Sequence, residues 1–210
     1  MSSGREITRR SFMATCTVVA ATAATGFVVA PHSAQADVLR PPGALAEPEF
    51  FARCIHCYRC ISACPTDVLV PMHLEEGVLQ ARSPTLDFSE ASCTYCDLCR
   101  QVCPTGCIGP SDPNDTAQGR IGVAVVIREN CLAFIDGSCG ICAQRCPYEA
   151  ISLDTFNRPV VDAGLCNGCG ECEAICPAHV LRAFNGNRTR GIEVVTERRY
   201  QEVWASSDAE

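Results

Sequence analysis

Short apolar runs recur along the chain, each lying close to a group of cysteines. TLDF at 85–88, VAVVI at 123–127 and PVVD at 159–162 each stand a few residues ahead of a first cysteine. Their β-branched residues predict strands. The pairs VL, CI, AI and VL at 68–69, 107–108, 150–151 and 180–181 follow each cysteine group and predict the start of a second strand. The polar, cysteine-bearing segments between them have room only for loops and short helical turns. The repeating unit is therefore strand, cysteine loop, helical turn, strand. Two departures stand out. The stretch from Ala46 to Arg53 predicts a helix where the first unit should have its leading strand, and GIEVVT at 191–196 predicts a spare strand near the end.

The pattern of the first 36 residues is different. A twin arginine in Thr8-Arg9-Arg10-Ser11-Phe12-Met13 precedes a mild apolar run from Ala14 to Ala30. Ala34-Gln35-Ala36 supplies the small-residue site of a signal peptidase and would leave Asp37 as the mature start. The run is short and threonine-diluted for a spanning helix. These features predict a twin-arginine signal, export in the folded state and a periplasmic destination. The expected organisation is a signal at 1–36, a helical lead-in at 37–53, a four-motif region at 54–182, and a C-terminal strand and tail at 183–210.

The cysteines change the picture most. The chain has 18 in 210 residues, and four copies of one motif account for all but two. The first copy is Cys54, Cys57, Cys60 and Cys64, followed by Pro65. The second is Cys93, Cys96, Cys99 and Cys103, followed by Pro104. The third is stretched at its first gap: Cys131, Cys139, Cys142 and Cys146, then Pro147. The fourth is Cys166, Cys169, Cys172 and Cys176, then Pro177. Cys16 lies in the signal. Cys107 stands where the other copies have Val68, Ala150 and Val180, so it is expected to be a small core hydrophobe.

Three cysteines at two-residue gaps followed by Cys-Pro suit a [4Fe–4S] cube: three thiolates wrap one cube and the cysteine before proline ligates the other cube of a pair. Zinc asks for two close pairs with a count of four, and a disulfide scaffold has no reason to repeat one spacing four times. Folding before export would also let thiols meet iron before an oxidising compartment. The sixteen motif cysteines are thus the candidate ligands of four [4Fe–4S] clusters, and the expected fold is α+β, two ferredoxin-like modules. Two pairings are open: neighbours, copy 1 with 2 and 3 with 4, or a nested scheme, 1 with 4 and 2 with 3. The spare strand, which could complete copy 1, favours nesting.

Charge narrows the function. The formal net charge is -7, every basic residue is arginine, and no basic stripe is present, which argues against nucleic acid. Arg53, Arg59, Arg100 and Arg145 lie inside or beside the motifs and could offset cluster charge. No dinucleotide fingerprint, P-loop, zinc-protease motif or haem-attachment motif appears. His56, His73 and His179 form no cluster with carboxylates, so exposed or capping roles are expected. An electron carrier fits better than an enzyme.

These motifs, with LRPPGALAEPEF at 39–50 and GRIGVAVVIRENCLAF at 119–134 leading into the stretched third copy, resemble the NapG/MauM family of exported ferredoxin-type proteins. The resemblance implies electron transfer in the periplasm between a quinol-oxidising membrane polyferredoxin, NapH- or MauN-like, and a periplasmic redox enzyme of the nitrate reductase or methylamine dehydrogenase type. Membrane association would come through the partner. The compact second copy and short tail tilt toward MauM or an unassigned relative. The rival role is redox-linked assembly of a periplasmic oxidoreductase.

Overall fold

The computed structural model describes residues 38–75, 80–110, 119–181 and 189–207. The signal expected at 1–36 lies outside the described residues. Every described element before the last helix has seven residues or fewer. The first half holds helices α1 (Glu47–Arg53) and α2 (Arg59–Ser62), strands β1 (Leu69–Pro71) and β2 (Pro84–Leu86), and helix α3 (Leu98–Gln101). The second half holds β3 (Val123–Val126), α4 (Leu132–Ile135), α5 (Ile141–Arg145), β4 (Ile151–Leu153), β5 (Pro159–Val161), α6 (Glu171–Ala174), α7 (Ala178–Leu181), β6 (Ile192–Val195) and α8 (Glu197–Ser207). The strands expected before copies two, three and four are β2, β3 and β5. The third cysteine of each triplet sits on a helical turn, in α2, α3, α5 and α6.

Among the described residues the strands form three antiparallel pairs, β1 with β2, β4 with β5 and β3 with β6. The first two join the strand after one motif to the strand before the next, with Leu69 opposite Leu86 and Ile151 opposite Val161. Each such pair ties neighbouring copies together. The nested scheme is therefore corrected: copies 1 and 2 form one module and copies 3 and 4 the other. The spare strand β6 does not complete copy 1 but pairs with β3, ahead of copy 3, through four residue pairs from Val123–Val195 to Val126–Ile192.

Copy 1 is completed by the lead-in itself. Ala44 makes an isolated bridge with Ile108, and the Leu39 carbonyl accepts from Leu86 N–H at 3.0 Å and from the Thr85 hydroxyl at 3.1 Å. Arg40 pins this stretch. Only 9% exposed, it pairs with Glu47 at 2.6 Å, donates to Ser83 Oγ at 2.8 Å and the Pro84 carbonyl at 2.6 Å, and lies 4.5 Å over the Phe50 ring. A buried guanidinium is tolerable because its donors are met. Phe50, fully buried on the inner face of α1, contributes about 1.5–3 kcal/mol by burial.

A second expectation also changes. The pair Val180–Leu181 after copy four does not start a strand but lies in α7. In the other copies the third residue after the fourth cysteine is left-handed: Asp67, Gly106 and Glu149 have φ of 55°, 64° and 53°. That reversal sends the chain straight into a strand or bridge. His179 takes no such turn; its Nδ1 lies 2.8 Å from the Cys176 carbonyl, a capping role. The chain thus continues as helix and its strand comes later, as β6.

One apolar core runs through both modules, from Phe50, Val68 and Leu86 through Phe88 to Val123, Ile151, Ile192 and Val194. Cys107 belongs to it as expected, at 3% exposure. At the join, Phe88 packs on Gly170, where an added Cβ would fall 2.0 Å from the ring. Gly168 likewise meets the backbone of Gly122.

Candidate cluster-binding sites

Each compact triplet is shaped by two left-handed residues, one immediately before and one immediately after its second cysteine. They are His56 and Tyr58 in copy 1, Tyr95 and Asp97 in copy 2, and Gly168 and Gly170 in copy 4, with φ between 52° and 82°. Left-handed backbone costs non-glycine residues of order 1–3 kcal/mol. Its effect here is to curl the loop so that successive N–H groups face inward, the kind of concavity that receives an anion. Copy 3 differs: Gly140, before Ile141 and Cys142, has φ of -151°, and its left-handed residue is Gly137, inside the stretched gap.

The curled loops bring the cysteines together around four cavities. One is lined by Cys54, Cys57 and Cys60 with Cys103, and also by Cys107. A second is lined by Cys93, Cys96 and Cys99 with Cys64. A third gathers Cys131, Cys139 and Cys142 with Cys176. The fourth gathers Cys166, Cys169 and Cys172 with Cys146. Every set is a triplet plus the cysteine-before-proline of the neighbouring copy. All sixteen predicted residues are placed, and the exchange runs within each module.

Among the described residues no cysteine is bridged, and no group of three or more His, Cys, Asp or Glu is gathered to hold a single ion. Four thiols spread around one cavity, with none bridged to another, suit a cluster that takes one thiolate at each corner. The donor chemistry agrees. Backbone N–H groups of Ala124 and Gly191 point at Cys166 Sγ (3.4 Å) and Cys176 Sγ (3.3 Å), from β3 and from just ahead of β6. Burial pushes the thiols of Cys93 and Cys142 up to about 12 and those of Cys99 and Cys169 up to about 11, and holds that of Cys172 well above the ordinary thiol value. Such thiols shed their protons only to a strongly bound cation.

Cys103 goes the other way. Burial pushes its thiol up, but hydrogen bonds from Thr105, Cys107 and the backbone outweigh burial and bring it down to about 7. Thr105 Oγ1 lies 3.7 Å from its sulfur and Cys107 Sγ lies 3.5 Å away. In the second cavity, Thr66 Oγ1 stands 3.6 Å from Cys64.

The sets follow one another in space. Burial pushes the Cys60 thiol up to about 11, and Cys54, Cys99 and Cys57 add to the rise, so the first and second sets are near neighbours. Cys142 acts on Cys172 in the same way, joining the third and fourth. Between modules, Cys93 N–H donates to the Cys169 carbonyl at 2.8 Å. The Tyr95 hydroxyl donates to the Asn167 carbonyl at 2.7 Å, and Tyr95 meets Tyr148 edge to face at 6.4 Å. Ser92 donates to Glu171 at 2.7 Å beside them. By triplet, the order is copy 1, copy 2, copy 4, copy 3. Sequence gave no sign of this junction, because Tyr95 and Asn167 sit at variable positions between cysteines.

The motif arginines are committed elsewhere in three of four cases: Arg53 to Glu49 at 2.6 Å, Arg100 to Asp97 at 2.5 Å and Arg145 to Glu171 at 3.6 Å. Charge offset by these three is therefore diminished. No helix among the described residues is long and apolar enough to cross a membrane.

Comparison with known proteins bears on these cavities. A 4Fe–4S dicluster domain family matches residues 53–107, and a second 4Fe–4S dicluster domain family matches residues 136–181. Two clusters in each give four. The chain is 38% identical over 154 residues to the methylamine utilization ferredoxin-type protein MauM of Methylophilus methylotrophus, covering 67% of each chain. It is 35% identical over 195 residues to the MauM of Paracoccus denitrificans, covering 84% of this chain and 86% of that one. It is 33% identical over 156 residues to the ferredoxin-type protein NapG of Escherichia coli, covering 66% and 65%.

Proposed function

The chain belongs to the MauM/NapG family of ferredoxin-type proteins, iron–sulfur electron carriers with four [4Fe–4S] clusters, and on that premise we propose that it conducts electrons in the periplasm between a quinol-oxidising membrane polyferredoxin and a periplasmic redox enzyme. The sixteen motif cysteines are its cluster ligands, four to each cavity. Each cluster, when bound, supplies one-electron exchange. The chain's own residues do the rest: left-handed loops aim N–H groups at the sulfurs, buried walls keep water from most of the thiolates, and the hydrogen bond from Cys93 N–H to the Cys169 carbonyl ties the modules together.

The observation that carries this reading is the unbroken succession of four cysteine sets across both modules. A carrier with a single docking end needs one set; a line of four, reaching the surface at Cys57 in the end set and at Cys96 in the set beside it, suits conduction over a distance. The MauM relatives favour methylamine utilization as the setting, and the twin arginine, outside the described residues, supports the periplasm.

Anaerobic purification should give about 16 iron and about 16 sulfide per chain. Vesicles carrying the membrane polyferredoxin and quinol should then bleach the visible absorption rapidly and reversibly. Slow, irreversible reduction would point instead to an assembly role. Export should stop with Arg9→Lys/Arg10→Lys, read by fractionation.

A further inference from the structure

One cavity differs from the other three. It is lined by five cysteines, Cys54, Cys57, Cys60, Cys103 and Cys107, where the others have four. Cys107 occupies a repeat position that is Val68, Ala150 and Val180 in the other copies, so a thiol is not needed there for packing. It is 3% exposed, and its Sγ lies 3.5 Å from Cys103 Sγ. The threonine contact to the same sulfur has a counterpart in the second cavity, Thr66 to Cys64. The Cys107 contact has none.

We propose that Cys107 is a positioning residue whose S–H donates a hydrogen bond to Cys103 Sγ, raising the reduction potential of the cluster that Cys54, Cys57, Cys60 and Cys103 hold. This rests on the reading of Cys103 as a ligand. The direction of the bond follows from that reading: a thiolate on iron has no proton, so the proton between the two sulfurs belongs to Cys107. An added electron places negative charge on the cluster and its sulfurs. A donor aimed at one of them stabilises the reduced state, which is how hydrogen bonds set such potentials. No bond is made or broken and Cys107 keeps its proton throughout.

The test is redox titration of the holoprotein, followed by electron paramagnetic resonance, in wild type, Cys107→Ala and Cys107→Ser. Cys107→Ala should keep all four clusters and lower one midpoint potential. A net hydrogen bond of ordinary strength corresponds to about fivefold in the reduced-to-oxidised ratio, roughly 40 mV at 59 mV per tenfold. Cys107→Ser, whose hydroxyl also donates, should recover part of the shift. Unchanged potentials with full iron in Cys107→Ala, or a serine variant identical to the alanine one, overturn the proposal. Should the alanine variant lose a cluster, infrared spectra of the wild-type holoprotein decide: the difference against Cys107→Ser should show one S–H stretch moved to lower frequency, and an unshifted stretch overturns the proposal. Iron content of Cys103→Ser tests the underlying ligand assignment separately, since that variant should lose the cluster whatever Cys107 does.

Discussion

The two modules carry the same motif at different depths. In the amino-terminal one, the outer pairing is a single bridge, Ala44 with Ile108, and Cys57 and Cys96 are exposed. In the carboxy-terminal one, the four-residue ladder of β3 and β6 fills that place, and Cys131, Cys166, Cys169 and Cys172 are buried. The left-handed positions differ in step. Copies 1 and 2 place His56, Tyr58, Tyr95 and Asp97 there, whereas copy 4 has glycines pressed against Phe88 and Gly122. Spacing thus decides which thiols converge, while the residues between and before them decide how far from water the set lies. Since solvent access is one determinant of cluster potential, the two modules should differ in potential despite equal ligands.

The broadest way to break this comparison is to ask whether fourth cysteines really cross within a module. Cys64→Ser and Cys96→Ser should abolish the same paramagnetic signal, each with the loss of roughly four of about 16 iron. Cys57→Ser and Cys103→Ser should abolish a different one. If Cys64→Ser instead matched Cys57→Ser, exchange between copies 1 and 2 would be wrong.

The glycine contrast is next in size. Gly170→Ala forces a left-handed alanine into the buried Phe88 ring and should cost about 3 kcal/mol, a fall of roughly 6–12 °C in the midpoint for thermal bleaching. Tyr58→Gly, at the matching place in copy 1, should move it by less than about 1 kcal/mol, because relief of backbone strain offsets the lost Arg82 contact.

The finest distinction is in pH. Glu173 follows Cys172 where the amino-terminal module has Ile61 and Arg100. Burial raises its carboxyl from 4.5 to about 7, against the hydrogen bond that Val194 N–H donates at 2.7 Å. Its folded-state affinity for a proton exceeds its unfolded one, so its contribution to stability is complete below 4.5 and is lost as pH rises through about 7. Glu173→Gln should flatten the fall in unfolding midpoint across that window while the wild type keeps its slope.

Much of this was legible beforehand for a physical reason: β-branched runs and cysteine spacing are local signals, and β2, β3, β5 and all four triplets are local. The pairing of copies was not. The absence of a strand before copy 1 suggested that β6 was needed there, but the segment around Pro41, Pro42 and Gly43 breaks the strand pattern while still offering Leu39 and Ala44 as isolated partners. The helix after copy 4 left a fainter trace, the absence of Asp, Gly or Glu at the turn position that His179 fills. Arg40 gave none, since its partners Ser83 and Pro84 lie more than forty positions away.

Beside its side-chain contacts, the join between modules has one link made wholly of main-chain atoms, Cys93 N–H to the Cys169 carbonyl. A backbone bond is indifferent to the side chains on either side of it, proline excepted. Away from Phe88, Ser92 and Tyr95, surface charge and loop chemistry in either half can therefore drift without severing this link, leaving each end free to be fitted to its own neighbour while the conductor between them stays whole.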